Sequence, residues 1–82
     1  MKVKANFYCP DIIGELRSGD YEIPEGSTVQ QLFNAAEAEA GVSYGENVTS
    51  CLNLLLDNRQ AQWDTPVSDG SVLRVLFKFY GG

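Results

Sequence analysis

The sequence predicts an α+β fold, a mixed sheet of four to five strands covered on one face by one main helix. Three observations predict it. Only one stretch, residues 29–40, places its apolar residues at helical spacing. Residues 2–8 and 72–80, near the two ends of the chain, alternate apolar and polar in the manner of strands. Turn signals built from Pro, Gly, Asp and Asn separate the segments between them. The chain has 82 residues, 44% of them apolar and 21% charged, which is enough for one small core. Residues 1–82 therefore read as a single domain, with Gly81 and Gly82 as a flexible C-terminal tail.

In the first segment Val3, Ala5 and Phe7 point one way, and Lys2, Lys4, Asn6 and Tyr8 the other, a half-buried strand that Pro10 ends. Residues 10–19 read as a loop or turn carrying the apolar pair Ile12-Ile13. Residues 20–23 alternate again and stop at Pro24-Glu25-Gly26, so the first two strands should pair as a hairpin. A helix starts next. Thr28 with Gln31, or Ser27 with Gln30, has capping-box spacing. Val29, Leu32, Phe33, Ala36 and Ala40 then share one helical face, and Gly41 is a natural stop. Residues 42–50 are polar and irregular, and the sequon Asn47-Val48-Thr49 within them reads as accidental. Residues 51–56 form a strand with Leu52, Leu54 and Leu56 on one face, residues 57–59 a turn, and residues 60–62 a short edge strand. After another turn at Ser68-Asp69-Gly70 comes the strongest strand. It has Leu73, Val75, Phe77 and Phe79 on one side and Val72, Arg74, Leu76, Lys78 and Tyr80 on the other.

The order is thus β-β-α-β-β-β. One amphipathic helix can cover one face of one sheet. The first and last strands are the most apolar and belong at the centre, parallel to each other. This arrangement resembles the β-grasp fold of ubiquitin-like proteins.

Composition removes several functions. The net charge of −5 argues against general nucleic-acid binding, which needs clustered Lys and Arg. No apolar run reaches membrane-spanning length, and residues 1–7 alternate instead of forming a signal-peptide block, which predicts a cytoplasmic location with no membrane partner. There is no histidine, so the common serine and cysteine nucleophile pairs are missing. The eleven carboxylates are scattered, and no phosphate-loop spacing occurs. Cys9 and Cys51 cannot hold a conventional metal site alone and read as two small buried apolar residues. An enzyme acting alone, with its own metal or bound cofactor, is not predicted. What stands out is the end of the chain, where a strong strand runs into Tyr80-Gly81-Gly82.

That ending joins other motifs. Met1-Lys2-Val3-Lys4, Pro24-Glu25-Gly26-Ser27-Thr28-Val29 with Leu32 after it, the run Trp63-Asp64-Thr65-Pro66-Val67-Ser68-Asp69-Gly70 and the terminal Gly81-Gly82 follow in order over nearly the whole chain. Together they resemble the ubiquitin-like sulfur carriers, the small subunit of molybdopterin synthase and the thiamine-pathway carrier (MoaD/ThiS-like). The resemblance implies that an E1-like adenylyltransferase, using ATP and Mg that the partner holds, activates the carboxylate of Gly82 and converts it to a thiocarboxylate. It implies delivery of that sulfur to the large subunit of molybdopterin synthase or an equivalent acceptor enzyme. Three segments depart from the molybdopterin branch. Asp69-Gly70-Ser71 stands where that branch usually has Asp-Gly-Asp, and Phe77-Lys78 stands where it usually has two prolines. Residues 9–19 keep only Glu15-Leu16-Arg17 of a usual Arg-Leu-Arg-Glu-Leu-like run.

The chemistry suits glycine, which has no Cβ and can pass a narrow channel. The strand alternation adds a second expectation. If Leu73, Val75, Phe77 and Phe79 face the helix, the opposite sheet face carries Lys2, Lys4, Arg74 and Lys78, with Tyr8, Leu55, Leu76 and Tyr80 among them. An apolar patch rimmed by positive charge would suit a partner with an apolar pocket and an acidic rim. An ordinary solvated sheet face is the plain alternative. A β-grasp interaction module with an inert tail, and a modifier conjugated to lysines, are the other two functional readings.

Overall fold

The structure is a computed structural model, and it describes residues 1–78. The expected alternation produces β1 (Lys2–Phe7), with Val3 and Ala5 fully buried between exposed Lys2 and Lys4. Pro10 then does more than end the strand. It opens α1 (Pro10–Ile13), a single turn with Cys9 as N-cap, where the absent proline N–H costs nothing. This corrects the loop expected over residues 10–19. Ile13 is fully buried and Leu16 nearly so, which accounts for the apolar residues the loop reading left unplaced.

β2 (Gly19–Glu22) pairs antiparallel with β1, the expected hairpin, one residue earlier than read. The main helix α2 (Val29–Ala40) starts at the capping box of Thr28 and Gln31, not at Ser27 and Gln30. Val29, Leu32, Phe33 and Ala36 are fully buried, and Ala40, the last of the predicted face, is half-buried. Gly41 ends the helix at φ 73°, a left-handed backbone that glycine adopts without a Cβ clash, and the next N–H, on Val42, reaches back to Glu37 O. The irregular stretch after it contains a second unexpected turn, α3 (Glu46–Thr49).

β3 (Leu52–Leu56) begins after Cys51. The turn of Asp57 and Asn58 has φ 52° and 68°, the pair of positive values of a two-residue hairpin loop, and these two residue types tolerate it. β4 (Arg59–Gln60) follows at once, earlier and shorter than the expected edge strand over residues 60–62. β5 (Val72–Phe77) carries fully buried Leu73 and Val75, and its end comes before the predicted Phe79 and Tyr80, which lie outside the described residues.

The five strands form one sheet in the order β2-β1-β5-β3-β4. β1 and β5 are central and parallel, and β3 runs antiparallel to β5, as the apolar content of the first and last strands predicted. Phe33 of α2 ties the core together. Its ring meets Phe7 at 6.2 Å, Tyr44 at 6.3 Å and Trp63 at 5.1 Å, the last two from the loops that close the core. No helix among the described residues is long and apolar enough to cross a membrane.

Candidate functional site

The helix buries one face of the sheet, so the other face is fixed by the same alternation and by the strand registers. Leu55 stands directly across from Arg74, and Arg74 across from Asn6. Asn53 stands across from Leu76. Residues paired in this way share a face. The structure therefore brings Arg74, Leu76 and Leu55 together on the helix-free face, each half-buried. Tyr8, just past β1, is 52% exposed, the one large apolar side chain so open among the described residues, and it is held by its N–H to Val75 O at 2.9 Å. Lys78 is exposed and follows β5, with its N–H donating to Cys51 O at 2.7 Å. The remaining predicted site residues, Tyr80, Gly81 and Gly82, lie outside the described residues.

The expected ring of positive charge is only partly there. Lys2 faces Glu22 and Lys4 faces Asp20 across the β1–β2 pair, so β2 supplies a carboxylate for each lysine. Asp69 adds a third acid, accepting the Lys2 backbone N–H at 2.8 Å. The positive end of the face is therefore that of Arg74 and Lys78. The Arg74 guanidinium is oriented by the neutral Asn58 side chain, which accepts from its Nη1. The one ion pair among the described residues lies elsewhere, between Arg17 and Glu39 at 2.5 Å. This hydrogen bond holds the Glu39 carboxyl below the usual carboxylate range.

At the end of the sheet Tyr8 and Leu76 of this face border a groove. Tyr8, Cys9, Pro10, Asp11, Ile12, Leu76 and Phe77 line a depression of about 410 Å³ where β1 leaves the sheet and β5 ends. Such a shape accepts a protruding apolar side chain, whereas the sequence suggested a partner offering a pocket. Sequence reasoning missed the groove because it depends on α1, which is too short to show helical periodicity.

Both cysteines are free thiols. Cys9 is buried, as expected, and burial pushes its thiol above the ordinary value. Cys51 is only half-buried, with Sγ 3.5 Å from Asn47 O, which corrects the reading of two buried cysteines. Among the described residues no cluster of Cys, Asp or Glu could hold a metal ion.

The sheet order, the single covering helix and the parallel central pair define a ubiquitin-like β-grasp fold, α+β in class. SAMP1 of Haloferax volcanii, a small archaeal modifier protein, is similar over 100% of both chains, with a TM-score of 0.77 and 17% identity. A candidate molybdopterin converting factor subunit 1 from Pyrococcus furiosus matches 94% of this chain and 97% of its own, with a TM-score of 0.69 and 23% identity. A chain from the complex of subunits 1 and 2 of the Helicobacter pylori molybdopterin-converting factor matches over 100% of both chains, with a TM-score of 0.59 and 19% identity. At these identities the likeness is one of fold. No family model matches the sequence, and no curated protein matches it.

Proposed function

We propose that this chain is a cytoplasmic sulfur carrier whose reacting group is the carboxylate of Gly82, and that it has no catalytic site of its own. The observation that carries the reading is the placement of β5. A central strand, locked into the core through Leu73 and Val75, ends at Phe77, shortly before the pair Gly81-Gly82. In this reading an E1-like adenylyltransferase binds ATP and Mg. The Gly82 carboxylate attacks the α-phosphorus and pyrophosphate leaves. Sulfur from a donor at the sulfide level then displaces AMP, and a thiocarboxylate remains. Glycine at both terminal positions lets the backbone enter the partner's channel without side-chain hindrance.

The acceptor proposed is an enzyme of the molybdopterin type, because subunit 1 of the molybdopterin-converting factor shares this fold and is found in complex with subunit 2. The face of Tyr8, Leu55, Arg74, Leu76 and Lys78, with Tyr80 following, is proposed as the surface such partners hold. Incubation with an activating enzyme, ATP and a sulfur donor should raise the intact mass by the difference between sulfur and oxygen. Deleting Gly82 should abolish the gain and leave the thermal midpoint nearly unchanged. A mass that never moves with several E1-like enzymes would rule the carrier role out. Conjugation to lysines is the second reading, favoured by the likeness to a modifier protein, and it would appear as isopeptide-linked adducts in cells.

A further inference from the structure

β5 leads toward the Gly81-Gly82 pair, and both neighbouring strands hold it near its end. On the β1 side Tyr8 N–H donates to Val75 O at 2.9 Å, and Pro10 and α1 then turn the neighbouring chain away. On the β3 side the ladder continues one step past the strand. Lys78 N–H donates to Cys51 O at 2.7 Å. The carbonyl is presented by a closed turn over residues 45–51. Val48 and Thr49 donate to Gly45 O, Ser50 to Glu46 O, and Cys51 to Val48 O at 2.9 Å. Val48 is half-buried against the core, which anchors the turn.

The residue type at this anchor matters. A proline at 78 would fix its own φ without help, and it could not donate the hydrogen bond. Here lysine leaves φ free, and the N–H takes a partner.

We propose that the turn over residues 45–51 is a positioning device, whose Cys51 carbonyl fixes Lys78 and so sets the point from which the tail is presented to the activating enzyme. The proposal rests on the carrier reading above. In that reading four residues, 79–82, join the anchor to the reacting carboxylate, and four residues reach at most about 13–14 Å. The partner's reacting centre must then come within that distance of Lys78, and a loosened anchor lets the reacting carboxylate search a larger volume.

The test loosens the turn without touching the tail. In T49G/S50G the Val48 contact is retained while two glycines weaken the helical turn, which should speed hydrogen exchange at the Lys78 amide roughly tenfold. In ATP–pyrophosphate exchange catalysed by an E1-like adenylyltransferase that activates the parent chain, the variant should show a several-fold higher KM for the carrier with kcat little changed. Adding K78P to T49G/S50G should return KM toward the parent value, because proline restrains the root by itself. Cys51→Ser, which keeps the carbonyl, should behave as the parent. The proposal is overturned if T49G/S50G leaves KM unchanged, if K78P fails to rescue it, or if the Lys78 amide of the parent exchanges as fast as in an unstructured peptide. Failure of the parent chain to be activated would strike the carrier reading instead, and the amide exchange would still decide whether the anchor exists.

Discussion

Cys9 shows how much one side chain can be asked to do here. It caps α1 through its carbonyl, which takes the Ile12 and Ile13 N–H groups, and its Sγ lies 3.9 Å from Val75 O beneath the groove. Burial raises its pKa because the thiolate would lose water without gaining a cation. Burial raises Tyr21 and Tyr44 in the same direction. For an acid whose folded pKa lies above its unfolded value, the stabilising contribution is complete below the unfolded pKa and is lost as pH rises through the folded one. Stability should therefore fall as pH climbs through and beyond the ordinary thiol range, before tyrosine ionisation adds to the loss. Urea midpoints measured from pH 7 to 10 should show this decline, and Cys9→Ala should flatten its first part. A decline equally steep in Cys9→Ala would assign the effect to the tyrosines alone. The same burial makes Cys9 a poor nucleophile at neutral pH, in keeping with its packing role.

At the scale of elements, α2 depends on its first turn. Thr28 Oγ1 accepts from Gln31 N at 3.3 Å, and Gln31 Oε1 accepts from Thr28 N at 2.8 Å, so the two residues satisfy each other's free backbone donors. Thr28→Ala should cost about 1 kcal/mol, read as a lower urea midpoint with an unchanged m-value. A cost near zero would mean that burial of Val29 and Leu32 holds the helix start without the cap. This element was legible in the sequence because twelve residues give the helical period more than three turns in which to appear. The first and last strands, β1 and β5, were legible for the same reason at period two. The four-residue helices α1 and α3 were not, because one turn carries no period and their positions are set by what they pack against. Ile13 goes to the core and Val48 sits against its edge. The candidate face was half legible. Alternation placed Arg74, Leu76 and Leu55 on one side, but the acids opposite Lys2 and Lys4 come from the β1–β2 register, which a single strand does not reveal. The Lys78–Cys51 bond joins residues far apart in sequence, and no local pattern marks it.

The whole molecule carries eleven acids against six bases, and α2 concentrates the imbalance. Its last turn holds Glu37 and Glu39 and no basic residue, beside the end where the helix dipole is negative. Glu37 is partly accounted for, since its Oε2 accepts Tyr44 N–H at 2.7 Å and so ties the loop after the helix. Glu39 takes Arg17, whose guanidinium also lies 4.4 Å over the Tyr21 ring and donates to Asp20 O at 3.0 Å. These contacts are local answers to repulsion that the fold as a whole retains. Screening should relieve it. The thermal midpoint should rise between about 10 mM and 1 M KCl, over which the Debye length falls from roughly 30 Å to 3 Å. Ala38 is exposed in that last turn and offers a direct probe. Ala38→Lys adds a cation at the negative helix end and lowers the net charge from −5 to about −4, which should stabilise by roughly 0.3–1 kcal/mol at low salt. The gain should shrink at 1 M KCl, because the same screening that helps the parent chain removes the variant's advantage. An advantage that persists undiminished in high salt would place its origin in packing of the lysine stem, not in charge. A parent midpoint insensitive to KCl would show that the acidic surface exacts no price from the fold. In that case the charge would be free to serve partner choice, repelling acidic surfaces everywhere except at the Arg74 and Lys78 end.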